Sequence, residues 1–214
     1  MRKPKLLIFA SGSKDGGGSG FQKLCEASQN GVLSAEIVGV VSNHENGGVK
    51  AKAAKFNIPF IYSPKGRAAE DYKRIYKETG ADFVALSGWL GFVEGLPPEK
   101  TFNIHPAFLP SQFGGTGFYG HHIHEAVIDA YKKGELTYTG VTMHFVTDTY
   151  DDPNAIFFRR KVEILPDDTA ETLFARVNAL EHKWQPIITN RIVNGEISWD
   201  GKNPESMRGA DIEK

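Results

Sequence analysis

The chain has a single cysteine, Cys25, among 214 residues. One thiol cannot form an internal disulfide, and it rules out a Cys-rich zinc site. There is no surplus of either charge: 25 Lys and Arg against 26 Asp and Glu, for a net charge of -1. No basic face therefore advertises nucleic acid or a membrane surface. Long apolar runs are missing too. Leu6 to Ala10 is a run of five apolar residues behind Met1-Arg-Lys-Pro-Lys, whereas a secretory core needs about 7–15 and a membrane span about 20. No internal repeat or interdomain linker interrupts the chain. With 40% hydrophobic and 24% charged residues, the composition is that of a folded protein rather than a disordered one. The expectation is one soluble, cytoplasmic domain over residues 1–214, with a loose polar tail from about residue 203.

The apolar segments that are present alternate in kind. Leu6 to Ala10, Glu36 to Ser42, Ile58 to Tyr62 and Asp82 to Ser87 read as buried strands. Phe21 to Gln29, Val49 to Phe56 and Arg67 to Thr79 read as helices, the last stopped by Gly80. Such alternation predicts an α/β, Rossmann-like, mostly parallel sheet with helices on both faces. In the second half, Phe102 to His105 is a short buried segment. Tyr138 to Thr147 and Ala155 to Ile164 are β-rich runs across a turn, predicting an antiparallel addition. Asp168-Thr-Ala-Glu171 offers a capping box for a long helix. Leu173, Val177, Leu180, Trp184 and Ile187 give that helix an apolar stripe, and Pro186 is a candidate kink.

Five groups of residues could carry chemistry. Ser11 to Gly20 is Gly-rich and lies between the first strand and first helix, where backbone N–H groups can hold an anion. Its spacing is neither a P-loop nor GxGxxG, and a flexible connection is the plain alternative. Asn103 and His105 share one face of a strand; an amide can stabilise an oxyanion and an imidazole can move a proton. A packed core pair would look the same. Thr147 to Asn154 holds Asp148, Asp151 and Asp152, any of which could hold a histidine or simply shape the turn. His121, His122 and His124 could ligate a metal or line a loop. Glu181 lies beside the apolar stripe, where a partly covered carboxylate could recognise an amine or pair with a surface cation.

These segments resemble a known family. Asn103-Ile-His-Pro-Ala-Phe-Leu-Pro110 resembles the NIHPSLLP signature of folate-dependent formyltransferases, and His144-Phe-Val-Thr-Asp-Thr-Tyr-Asp151 resembles their HFVTDELD. Val177 to His182 resembles an element of their C-terminal helix. The resemblance covers roughly residues 5 to 200 and implies formyl transfer from 10-formyltetrahydrofolate without a metal. The segment order, and a length near 200 residues, imply glycinamide ribonucleotide as the acceptor, in purine synthesis; another amine, or water, would be the alternative. A homodimer is left open. By position, Asn103, His105 and Asp151 would be catalytic, with His105 protonated and coupled to Asp151. Gly18, Ser19 and Gly20 would hold the acceptor's phosphate, and Glu181 its glycinamide. Leu90, Gly91, Phe92 and Val93 would line the folate pocket with Asn103, Arg67 lying nearby and Thr147 and Asp148 flanking the pterin. The N-terminal half would thus bind phosphate, the C-terminal half folate. The chain departs from the pattern in places: the first loop is longer, Gly20 stands where Asn is usual, Gly91 replaces an Arg, and Asp151-Asp-Pro-Asn replaces Asp-Gly-Gly-Pro.

Overall fold

A computed structural model describes residues 2–64, 68–115 and 121–214. The chain forms β1 (Lys5–Phe9), α1 (Ser19–Asn30), β2 (Glu36–Ser42), α2 (Gly48–Phe56), β3 (Phe60–Tyr62), α3 (Ala69–Thr79) and β4 (Phe83–Ser87). After these come β5 (Thr101–His105), α4 (His121–Lys132), β6 (Tyr138–Phe145), β7 (Ile156–Glu163), α5 (Ala170–Val193) and β8 (Asp211–Ile212). The eight strands make one sheet in the order β3-β2-β1-β4-β5-β6-β7-β8. β1 to β5 run parallel; β6 is antiparallel to both β5 and β7. The predicted α/β sheet with its antiparallel addition is therefore the observed one.

The period-2 alternation of β1 divides the core in two. Leu6 and Ile8 face the side covered by α1, α2, α4 and α5, while Leu7 and Phe9 face Tyr72 and Ile75 of α3. These four apolar side chains are completely buried. From β1 the chain builds outward to β2 and β3, then crosses to the other face and adds β4 and β5 on the opposite side of β1. Strand order thus reverses between β1 and β4. In open α/β sheets the crevice at such a reversal, beyond the carboxyl ends of the strands, is where ligands bind. Two bonds tie those ends together: Ser11 N–H to the Gly88 carbonyl at 3.1 Å, and Leu90 N–H to Ser11 Oγ at 2.9 Å.

Four local expectations change. His121 begins α4 rather than lining a loop. The capping box of α5 is Thr169 with Thr172, one residue later than expected; Asp168 instead receives the Leu165 N–H and pairs with Arg176. α5 continues through Pro186, and beyond it the buried positions are Ile188, Thr189, Ile192 and Val193, with Ile187 exposed. The tail is not loose. β8 pairs with β7, Arg160 and Arg191 reach Asp211, and Trp199 Nε1 donates to the Asn203 carbonyl. No helix among the described residues is long and apolar enough to cross a membrane.

Candidate active site

Two cavities open at the reversal point. The first, about 310 Å³, is lined by Ser11, Gly17 to Gly20, Ser87 to Leu90, Asn103 to Pro106 and one face of α5. The second, about 190 Å³, is lined by Leu86, Trp89 to Val93, Gly115 and residues from His144 to Asp151. Asn103 and His105 belong to both linings. Their shared strand face is the wall between the two spaces.

The long first loop folds on itself upstream of the first cavity. Gly12 and Gly17 bridge as an antiparallel pair, and Ser13 N–H meets the Gly16 carbonyl at 3.1 Å. Asn43 Oδ1 receives the Gly12 N–H, and Ser13 O receives that of Gly48. The extra residues therefore pack on the start of α2 and leave Gly17 to Gly20 at the cavity. Gly18 caps α1 in the left-handed region, at φ 71°, with no capping side chain and no acid in the first turn. The first N–H groups of a helix lack intrahelical acceptors, so this terminus offers its donors and its positive dipole end to an anion.

Opposite it, α5 presents Asn178, Glu181, His182 and Gln185, a polar stripe at helical spacing. Glu181 is partly buried, and burial pushes its carboxyl up to about 7, against the pull of the hydrogen bond from Asn178 at 3.3 Å. Such a group changes charge near neutrality and can exchange a proton with an amine.

The wall between the cavities carries two histidines. His105 is buried, and its Nε2 lies 2.9 Å from the Phe113 carbonyl. That contact places the proton of the neutral ring on Nε2 and leaves Nδ1 basic. Nδ1 faces Asp151 Oδ1 at 3.8 Å. Burial lowers the His105 pKa, and it outweighs the opposing effects of Asp151 and the Phe113 carbonyl. The expected protonated His105 is thus corrected: desolvation keeps the resting ring neutral. The closer partner of Asp151 is His144, whose Nε2 lies 3.1 Å from Oδ1. In the β5–β6 register His144 stands directly across from Asn103, with Nε2 3.2 Å from the Asn103 amide nitrogen. Its Nδ1–H donates to the Phe145 carbonyl at 2.9 Å.

Asp151 itself adopts φ 46°, a left-handed conformation that Asp tolerates better than most residues. Its Oδ2 accepts the Gly115 N–H at 2.7 Å. Burial opposes ionisation of this carboxyl, but the His144 hydrogen bond, the two nearby imidazoles and the Gly115 N–H together hold it well below the usual range. Asp152 serves the turn, accepting from Asn154 N–H at 2.9 Å and Thr147 Oγ1 at 3.1 Å.

Leu90, Gly91, Phe92, Val93 and Thr147 all line the second cavity. Asp148 does not: it faces a separate cleft with Gly95, Leu96 and Pro97, because the turn past Thr147 points it outward. Arg67 lies outside the described residues. A Cβ at Gly91 would come 2.9 Å from Trp89 Nε1, so the Trp89 indole occupies the space where a side chain at 91 would start. Burial pushes the Cys25 thiol up to about 12, which keeps it an inert packing group. His122 is exposed and pairs with Glu125, whereas His124 is fully buried against Phe174. Two residues apart on a helix, about 200° around its axis, these imidazoles do not converge. Among the described residues no group of three or more His, Cys, Asp or Glu could hold a metal.

Ser87, Trp89, His144, Asn178 and Gln185 are among the lining residues that sequence reasoning missed; for three of them a signal was present. A histidine within the apolar run Val141 to Phe145 signalled His144. The spacing 178, 181, 182, 185 signalled Asn178 and Gln185.

Known proteins are similar to this chain over most of its length. A family model described as formyl transferase matches residues 5–189. The chloroplastic phosphoribosylglycinamide formyltransferase of Arabidopsis thaliana is 33% identical over 209 residues, 92% of this chain and 68% of that protein. The phosphoribosylglycinamide formyltransferase of Schizosaccharomyces pombe is 32% identical, over 83% of this chain and 91% of that one. The chain spans about two thirds of the length of the first two plant relatives. A crystal structure of phosphoribosylglycinamide formyltransferase from Bacillus halodurans superposes with a TM-score of 0.75 at 28% identity, over 88% of this chain and 95% of that one. With the family model covering most of its length, this chain belongs to the formyl transferase family.

Proposed function

We propose that this protein transfers the formyl group of 10-formyltetrahydrofolate to the amine of glycinamide ribonucleotide, as a single-domain cytoplasmic enzyme. One observation carries the reading: Asn103 and His105 stand in the wall shared by two cavities. A group-transfer enzyme needs its polar groups at the junction of donor and acceptor, and the linings differ as the two substrates do. The first cavity combines an uncapped helix N-terminus, suited to a phosphate, with Glu181, suited to an amine. The second is lined by Trp89, Phe92 and Tyr150 and by the loop from Leu90 to Val93, suited to a flat heteroaromatic donor.

Holding both substrates against the shared wall supplies much of the rate by proximity. The acceptor amine attacks the formyl carbon, a C–N bond forms, and negative charge develops on the formyl oxygen. The Asn103 amide donates to that oxygen. His105 Nδ1, basic in the resting ring, takes a proton from the attacking nitrogen and returns one to the departing folate nitrogen as its bond to the formyl carbon breaks. Asp151 stabilises the imidazolium formed in passing. Glu181 takes a proton from the incoming ammonium, so that the amine arrives nucleophilic.

The test is formyl transfer by purified protein, with 10-formyltetrahydrofolate and a panel of acceptors. Glycinamide ribonucleotide as the preferred acceptor supports the reading. Preference for an unphosphorylated amine, or release of formate without an acceptor, overturns the acceptor assignment.

A further inference from the structure

Gly20 departs from the family pattern at the second residue of α1, where Asn is usual. A Cβ at this position would lie 2.2 Å from Ser87 Oγ and 2.8 Å from Gln185 Oε1. The space a residue-20 side chain would enter is therefore filled from two other elements, the end of β4 and the middle of α5. Ser87 Oγ donates to Gln185 Oε1 at 3.0 Å. Gln185 is only 1% exposed, and its Nε2 has no hydrogen-bond partner among the described residues. Both side chains line the first cavity with Gly18, Ser19 and Gly20.

A buried N–H donor left unpaired is unfavourable, and pairing it with a charged acceptor gives one of the stronger hydrogen bonds a protein makes. The amide that carries this donor reaches the first turn of α1, its Oε1 2.8 Å from a Cβ built at Gly20, and the backbone N–H groups of that uncapped terminus collect negative charge. Glu181, the carboxylate of the same cavity, sits one helical turn before Gln185, about 6 Å along the axis. An anion at α1 and an amine at Glu181 would thus lie at two ends of one ligand.

We propose that Gln185 is an acceptor-binding residue: its Nε2 donates to an oxygen of a phosphate monoester seated on the N-terminus of α1, standing in from α5 for the side chain that Gly20 lacks. The inference rests on the acceptor reading above and adds a ligand to it.

The test uses inorganic phosphate as the probe, titrated into the whole protein and followed by NMR at the Ser19 and Gly20 amides. Gln185→Leu keeps the bulk and removes the donor; Gln185→Met serves the same purpose should Leu disturb packing. Phosphate affinity is expected to fall about tenfold, the loss of one hydrogen bond to a charged group, and further in Gln185→Glu. In steady-state assays the KM for glycinamide ribonucleotide should rise by a similar factor while the KM for 10-formyltetrahydrofolate holds. Gly20→Asn combined with Ser87→Ala and Gln185→Ala clears the space and restores an amide from α1, so it should recover phosphate affinity over the Ser87→Ala, Gln185→Ala pair. Unchanged phosphate affinity in the folded Leu and Met variants overturns the role of Gln185 and leaves the acceptor reading standing. No phosphate-dependent shift at Ser19 or Gly20 in the unsubstituted protein overturns both.

Discussion

Replacing Asp151 by Asn removes one charge from the shared wall and almost no volume. The carboxylate lies 3.8 Å from His105 Nδ1. Two unit charges at that distance, in a medium of effective dielectric about 20, interact by roughly 4 kcal/mol. Water in the cavity screens part of this, and the His105 pKa should fall further in Asp151→Asn, since the carboxylate opposes the lowering by burial. The direction matters for the rate. Burial already lowers the His105 pKa, so the ring is neutral at pH 7 with or without the carboxylate. What the variant loses is basicity and support for the imidazolium formed during transfer, and we expect the rate to drop by about 10²–10⁴-fold. Raising the pH should not restore it, because no deprotonation is wanting. The same substitution changes acid stability. A carboxyl held below its ordinary value of 3.8 contributes stability above that pH, and the contribution is lost as pH falls through the depressed folded value. Asp151→Asn should therefore flatten the acid limb of unfolding below about pH 4. A pH–rate profile, an NMR titration of His105 and acid unfolding curves measure all three effects. Asp152→Asn is the control, since among the described residues Asp152 bonds within its own turn. If Asp152→Asn gives the large rate loss, or if the His105 titration is the same in Asp151→Asn, the proposed coupling is wrong.

Asn103→Ala and His105→Ala should each lower turnover by about 10²–10⁴-fold in a folded protein; near-normal kcat in either, with circular dichroism unchanged, removes that residue from the chemistry. Gly20→Ala drives a methyl into Ser87 Oγ, 2.2 Å from the new Cβ, and should cost about 1–3 kcal/mol by urea unfolding; a neutral result means that the Ser87–Gln185 pair yields freely. Glu181→Gln removes a carboxyl whose pKa burial raises from 4.5 to about 7. The folded state therefore favours the protonated form, and ionisation above pH 4.5 erodes stability until about pH 7, by about 3 kcal/mol in all. The Gln variant should gain that stability at pH 8 and none at pH 4, and equal gains at both would refute the shift.

The parallel half of the sheet was legible because buried strands must be apolar on both faces. Leu6 to Ala10 reads as a continuous apolar run ended by Ser11 and Gly12, and Ile37 to Val41 is apolar up to Ser42 and Asn43. α4 was hidden behind three N-terminal histidines, whose polarity masked the stripe of Ile123, Val127 and Ile128 that buries the helix. β8 was illegible for a different reason: its two residues are held by Arg160 and Arg191 on Asp211 rather than by a pattern of their own. In the site, alternation placed Asn103 and His105 on one face, and their surrounding motif pointed to Asp151. Sequence could not order the partners by distance. Asp151 lies nearer His144 than His105 because β6 pairs with β5 in the register that sets His144 beside Asn103. Nor could it weigh burial against charge, which decides the resting state of His105.

The two glycines that depart from the family pattern have one physical explanation. At Gly20 and at Gly91 the missing side chain leaves no hole. Ser87 Oγ and Gln185 Oε1 fill the first position, and the Trp89 indole fills the second. At each glycine a Cβ would therefore make its replacement shift. Ser87 and Trp89 are two residues apart at the end of β4, the strand at which the sheet order reverses. A larger residue at either place therefore demands a smaller one on α1 or on the loop that faces it. Substituting one member alone costs packing, whereas changing the facing members together moves a functional group from one element to another. A glycine in a binding motif is then not by itself a sign of lost binding: the group to look for is the one whose atoms stand where its Cβ would be.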